Sequence, residues 1–230
     1  GVAAKASAGT EGEAVILTSY AAGVSAFGED ETPGMSTMLR LLFANGASTV
    51  AAVRVAEAGE VADYQAAFDA LARQDVQIMV CDSTDEAVHQ ALRTAVETAS
   101  ASRKERIGVV GGSGEEAAAL VEHAAALNSE RMVLVGPDVL DEAGETLSGA
   151  FAAAALAGVI ASNADPAVPL NGAEIRGLGG VSTDYGDNDI DLLVRGGVTP
   201  LESSGGVLSP VRGITTRTTT GDVTDTTWRE

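Results

Sequence analysis

Aromatic side chains are scarce in this chain, only 3% of its 230 residues. A core so poor in rings is filled by Ala, Val, Leu and Ile, which suits closely approaching helices and sheets better than an aromatic-lined ligand pocket. Basic residues are few as well: 14 Lys and Arg stand against 33 Asp and Glu, a formal net charge of −19. Phosphate backbones are bound by clustered cations, so nucleic acid and anionic membrane are poor partners. The plainest role of the acidity is a soluble surface. A single cysteine, Cys81, excludes an internal disulfide and a cysteine-rich metal site. Within "VQIMVCDS" it reads as a small buried hydrophobe. Long hydrophobic runs are missing too. The longest, Leu147 to Ser162, is Ala-rich and shorter than the roughly 20 residues of a membrane span. It is expected to form a buried helix, with no membrane insertion.

What is present is a strand–helix rhythm from residue 14 to about 162. Strands are predicted near 14–18, 50–55, 76–81, 106–110 and 131–135, with Ile78, Val80, Val109, Val133 and Val135 buried. A helix follows Pro33 and stops at Asn45-Gly46. Val61, Tyr64, Phe68 and Leu71 recur at spacings of three and four, one face of a second helix. Ser83 with Glu86, and Ser113 with Glu116, have the Ser-x-x-Glu spacing of capping boxes. Strands separated by helices imply parallel pairing with right-handed crossovers. The fold class is α/β, a three-layer, mostly parallel sheet with helices on both faces. After residue 162 glycine and proline thicken and the helical face is lost. Residues 1–162 are therefore expected as the α/β domain and 163–230 as a smaller C-terminal α+β lobe.

No catalytic set emerges. "IGVVGGSGEEA" (107–117) is a strand, a glycine loop and a helix start, the usual setting of a phosphate cradle. It has neither the G-x-G-x-x-G nor the G-x-x-x-x-G-K-[ST] spacing, and Glu115 and Glu116 would repel a phosphate. His89 and His123 fall on different predicted helices, and a zinc site needs three or four converging ligands. His89, between Asp85 and Arg93, reads as part of a solvated face. Asp187, Asp189 and Asp191 read as an exposed helix start, without the glycine and distal Glu of an EF-hand. No cofactor or metal is expected.

Two stretches carry a resemblance. "LTSYAAGVSAFGEDETPGMSTMLRLLFANGASTVAAVRV" (17–55) contains a Phe27-Gly28 turn, a helix closing on Phe43, Asn45, Gly46 and Ala47, and a Val53-Arg54-Val55 strand. "NDIDLLVRGGVTPLESSGGVLSPVRGITTRTTTGDVTDTTWRE" (188–230) contains a Leu192-Leu193 helix, a turn with Gly197 and Thr199, and a Gly206-Val207 strand entry. An Arg212, Ile214, Thr215, Thr216 strand and Asp225 follow it. In order and position these phrases resemble the contractile-tail sheath proteins of phages and phage-like injection particles. Residues 56–145 share with that family only the strand–helix rhythm.

The resemblance implies a structural subunit, not an enzyme, which polymerises around a tail tube and contracts to drive it through a target envelope. Its implied partners are other copies of itself, the tail tube protein, and baseplate and terminator proteins. Its implied place is the virion tail, after synthesis in the host bacterial cytoplasm. In the family, terminal arms add strands to neighbouring subunits. Both arms are expected to be missing here, since "GVAAKAS" looks like the middle of a core strand and "TTWRE" precedes a helix. The 230-residue chain alone is then expected to be monomeric or weakly associating, with Gly205–Thr220 a strand at or near a sheet edge. A nucleotide- or small-molecule-binding α/β enzyme using Gly111–Glu116 is the alternative.

Overall fold

The apolar runs gather into one sheet. The computed structural model describes residues 1–114, 116–165, 167–220 and 223–224. Its elements begin with β1 (Val2–Lys5), β2 (Ala14–Leu17), α1 (Tyr20–Phe27), α2 (Met35–Ala44), β3 (Val50–Val55) and α3 (Val61–Ala72). The middle holds β4 (Ile78–Cys81), α4 (Glu86–Ala101), β5 (Ile107–Gly111), α5 (Ala117–Leu127) and β6 (Met132–Gly136). Two short strands, β7 (Val139–Leu140) and β8 (Thr146–Leu147), then lead to α6 (Gly149–Ser162). The remainder is β9 (Gly180–Val181), α7 (Asp187–Gly196), β10 (Val198–Ser204), β11 (Val207–Pro210), β12 (Thr219–Thr220) and β13 (Val223–Thr224).

Eight strands lie in the order β11-β10-β6-β5-β4-β1-β3-β2. The six inner strands run parallel, while β2 and β11 pair antiparallel at the two edges. All five strands predicted from the sequence are in this sheet, and β1 lies between β4 and β3. Val80, Val109, Val133 and Val135 are buried, whereas Ile78 is half-buried at the mouth of a surface groove. The segment after residue 162 contributes β10 and β11 to the same sheet.

Helices cover both faces, giving the three-layer α/β fold expected. One core cluster joins α1, α2 and α6 to the sheet, and the other joins α3, α4, α5 and α7 to its reverse. Helix α6 is buried from Gly149 to Val159. Its alanines let it lie between α2 and the sheet, and Gly158 passes directly over the Leu42 backbone, where a Cβ would come within 2.7 Å of the Leu42 oxygen. This is how a nearly ring-free core reaches normal density: small side chains shorten the distance between layers.

Both expected capping boxes are displaced. Helix α4 is capped by Asp85, whose Oδ1 accepts from Ala87 N at 2.7 Å, and Ser83 Oγ accepts from Asp85 N. Asp is as good an N-cap as Ser, and here it stands nearer the first turn. Helix α5 begins at Ala117 with Glu116 at the cap and no side-chain cap bond. Gly114 has φ +85°, which holds the chain out of helix beyond Ser113. The reciprocal box lies at α3, between Glu60 and Asp63.

The predicted strand through Arg212, Ile214, Thr215 and Thr216 is also corrected. After β11 the chain leaves the ladder, and residues 211–218 run as irregular backbone. They turn toward the start of β6, where side-chain partners replace strand pairing. The outer edge of β11 is covered: Gly172 N donates to Pro210 O and Ile175 N to Leu208 O.

Candidate functional site

In a doubly wound sheet, ligands bind beyond the carboxyl ends of the strands, where the strand order reverses. Here that place lies between β1 and β4. It is occupied by the protein's own groups. The Tyr64 hydroxyl donates to Asp82 Oδ1 at 2.5 Å, and Lys5 N donates to Asp82 Oδ2 at 2.9 Å. Burial pushes the Asp82 carboxyl up, against the pull of these donors, and it pushes the Tyr64 hydroxyl and Cys81 thiol up as well. A phenol and a thiol held protonated and bonded internally are not poised nucleophiles.

The glycine loop has a packing role. Gly111 closes β5, and a Cβ there would fall on the backbone of Gly149 and Ala150 at the start of α6. A Cβ on Gly112 would strike the Leu120 side chain. The Gly149 N–H, an open donor at a helix start, is taken by Asp138 Oδ1 at 2.8 Å. The space where a phosphate would sit against the glycines is filled by another helix end.

The two histidines meet, although they come from different helices. His89 Nε2 donates to Ser83 O at 2.8 Å, so its Nδ1 accepts from His123 Nε2 at 2.9 Å. The rings lie edge to edge, with an interplanar angle of 20°. His89 is fully buried, which corrects its reading as part of a solvated face. Burial lowers both imidazoles, His89 to about 4. Among the described residues no group of three or more His, Cys, Asp or Glu could hold a metal ion.

The residues behind the family resemblance divide into clasps and surface. Phe27 is fully buried, and Gly28 caps α1 at φ +77° against Ser7. Asn45 ends α2 and holds the 173–178 segment as a strand would: its Nδ2 donates to Arg176 O and its Oδ1 accepts from Arg176 N. Gly46, at φ +102°, lies against Ser162. Arg54 ties down the loop after β1, donating to Gly9 O and facing Glu11. Leu193 is buried and Leu192 is 43% exposed. Gly205 and Gly206 both have positive φ, making the two-residue turn between β10 and β11. Arg212 is exposed and Thr215 half-buried, whereas Ile214 and Thr216 are buried. Asp225 lies outside the described residues.

The second clasp was only half visible from sequence. Thr199 Oγ1 accepts from Ile214 N and donates to Ile214 O. Thr216 N donates to Met132 O, and Thr216 Oγ1 accepts from Ser129 N and donates to Ser129 O. Asn128, at φ +35°, accepts from Thr218 N and Thr219 N through Oδ1 and donates to Thr219 O through Nδ2. Sequence reasoning missed Asn128 and Ser129. An Asn just past a helix end, where left-handed backbone is common, was the available signal.

Among the described residues, open grooves include two of larger volume. One, of about 640 Å³, lies between α3 and α4 along Phe68, Ala91 and Ala95. The other, of about 800 Å³, opens where the parallel strands begin, beside Leu42, Val76, Ile107 and Ile160. Neither gathers the residues considered for catalysis.

With this geometry in place, the comparisons with known proteins converge. The family model described as the phage tail sheath protein central domain matches residues 58–216. The tail sheath protein of Bacillus phage SP01 is 32% identical over 157 residues, 65% of this chain and 27% of that protein. The chain thus spans about a quarter of the length of that curated relative. The sheath tail protein from Desulfitobacterium hafniense shares the fold at a TM-score of 0.80 and 13% identity, over 99% of this chain and 73% of that one. The helical sheath of the anti-feeding prophage in its contracted state matches at 0.72 and 18% identity, over 99% of this chain and 63% of that one.

Proposed function

Since the chain belongs to the phage tail sheath protein family, we propose that it forms the central part of a contractile sheath subunit. In this reading copies of the chain polymerise around a tail tube and shift from an extended to a contracted packing, driving the tube through a target envelope. The work is done by the assembly and not by a chemical step. The observation that carries the proposal is the match of the sheath central domain over 58–216. The likeness to a sheath solved in its contracted state supports it. The filled crevice at Asp82 and the helix end seated on Gly111 argue against the nucleotide-binding alternative.

The partners follow from the same reading: other copies in sheath rings, the tail tube protein, and baseplate and terminator proteins, in the tail of a phage or phage-like particle. Phe27, Gly28, Asn45, Gly46, Arg54, Leu193, Gly206, Ile214 and Thr216 keep the subunit's shape. Exposed Leu192 is the motif residue offered to assembly contacts. By itself the 230-residue chain is monomeric or weakly associating.

The test is assembly. A longer version, carrying flanking residues at both ends as the longer relatives do, is expressed with and without a tail tube protein and viewed by electron microscopy. Striated tubes or rings are expected. A chain that remains monomeric at high concentration with tube protein present would overturn the proposal.

A further inference from the structure

Two Asn-Gly pairs occur in the chain, Asn45-Gly46 and Asn171-Gly172. An asparagine is chemically most labile in this setting. The backbone nitrogen that follows it, once it has lost its proton, attacks the side-chain Cγ, and Gly has no Cβ to crowd the approach. A new N–Cγ bond closes a five-membered imide, and the side-chain amide nitrogen takes up a proton and leaves as ammonia. Water then opens the ring at either carbonyl, giving aspartate or isoaspartate. In isoaspartate the main chain runs through Cγ and is longer by a methylene. The fold treats the two pairs differently. Asn45 is buried and clasped: Nδ2 donates to Leu41 O and Arg176 O, and Oδ1 accepts from Arg176 N. The Gly46 nitrogen donates to Phe43 O, and a Cβ on Gly46 would fall 2.6 Å from the Ser162 Cβ, so the approach is closed. Asn171 and Gly172 are exposed, at the central positions of a turn in which Ala173 N donates to Leu170 O. Gly172 has φ +69°, and a Cβ there would meet nothing within 4 Å. The Gly172 nitrogen is restrained by its bond to Pro210 O at 2.9 Å. That bond, with Ile175 N to Leu208 O, covers the outer edge of β11.

We propose that Asn171 is a site of spontaneous deamidation, and that its conversion to isoaspartate loosens the cover on the β11 edge. The nitrogen that attacks is the one that holds the cover. Reaction therefore waits for local opening of 170–175, and its rate reports that opening. In the imide this nitrogen has no proton left to donate to Pro210 O. In isoaspartate the added methylene lengthens the turn that Ala173 N closes on Leu170 O, so Gly172 does not return to its place. A strand edge without its cover is a template for pairing with another chain.

The experiment ages the folded 230-residue chain at mildly alkaline pH, beside a sample unfolded in urea. Full tryptic digests are mapped by mass spectrometry, where fragmentation separates Asn171 from Asn163 within the peptide 132–176. In the folded chain, conversion at Asn171 is expected to run at least about tenfold ahead of conversion at Asn45, whose release breaks three hydrogen bonds. It should quicken with rising pH, and in urea the two sites should draw level. Asn45 converting as fast as Asn171 in the folded chain would overturn the proposal. So would an Asn171 that stays intact when folded while the unfolded sample converts. The loosened cover is read by brief trypsin treatment of native samples at equal circular dichroism. Aged chain should be cut after Arg176 faster than fresh chain, and Asn171→Gln, aged alike, should be cut as fresh chain is. Equal cutting of aged and fresh chain, or faster cutting of aged Asn171→Gln, would mean that the cover does not depend on Asn171.

Discussion

At residue scale, the positions that tolerate least are those where backbone meets backbone. Gly111 is the clearest, because its missing Cβ is the space that the start of α6 occupies. Gly111→Ala is expected to cost about 3 kcal/mol or more, at or beyond the usual range for overpacking, since backbone cannot swing aside as a side chain does. Gly186→Ala, where φ is −74° and the nearest atom is 3.9 Å from the new Cβ, should stay within about 0.5 kcal/mol. Urea unfolding of the two variants decides the matter; equal midpoints would refute the packing role of the loop. The histidine pair gives a pH test with a definite sign. His89 is held neutral, with its pKa lowered to about 4 by burial. The unfolded chain binds a proton near pH 6.5, before the folded one does. Stability is therefore full above about pH 6.5 and falls as the pH drops toward 4, by about 3 kcal/mol at most from this group. Asp82, raised by burial, acts in the opposite sense and blunts the loss. In the double variant His89→Gln/His123→Gln the fall between pH 6.5 and 4 should be shallower in thermal melts; an unchanged slope would remove the pair from the account.

At element scale, the molecule fastens irregular chain to regular elements with side chains that imitate a strand edge. Asn45 does so for 173–178, and Thr199, Asn128 and Thr216 do so for 211–219. Thr216→Val keeps the shape but strands the buried N–H and C=O of Ser129, at about 1–3 kcal/mol. Combined with Asn128→Ala it should free the 211–219 segment without unfolding the sheet. The measurement is limited trypsin digestion, with faster cutting after Arg212 and Arg217 than in the unaltered chain at equal circular dichroism. No change in cutting would mean that the clasps hold nothing. This scale also shows where sequence was readable. Strands β3 to β6 and their helices were legible because apolar runs and three-and-four spacings record burial directly. The stretch through Ile214 and Thr216 reads as a strand because Thr and β-branched residues signal a pleated surface, whatever satisfies the backbone. Here side chains satisfy it, and their positions are fixed by α5 and β10, far away in sequence. The meeting of His89 with His123 was illegible for the same reason: a spacing shows which face of a helix a residue occupies, not what packs against it.

At the scale of the whole molecule, the question is whether the change of texture at residue 162 is a boundary in stability. The sheet crosses it. Val198 to Pro200 of β10 pair in parallel with Leu134 to Gly136 of β6, and α7 buries Leu193 among the residues of α5. Helix α6, which ends at the same point, is buried along most of its length between α2 and the sheet. Removing 163–230 would therefore uncover β6 and α5 rather than detach a separate body. Elements that share one core are expected to unfold together. Calorimetry at neutral pH should give a single transition whose calorimetric and van't Hoff enthalpies agree. Thr216→Val should lower its midpoint without splitting it. Two resolved transitions, or an early loss confined to 163–230, would mean that the closing segment melts on its own. A single transition would mean instead that 163–230 and the sheet are one cooperative unit, and that the closing segment cannot be lost without losing β6 and α5 with it.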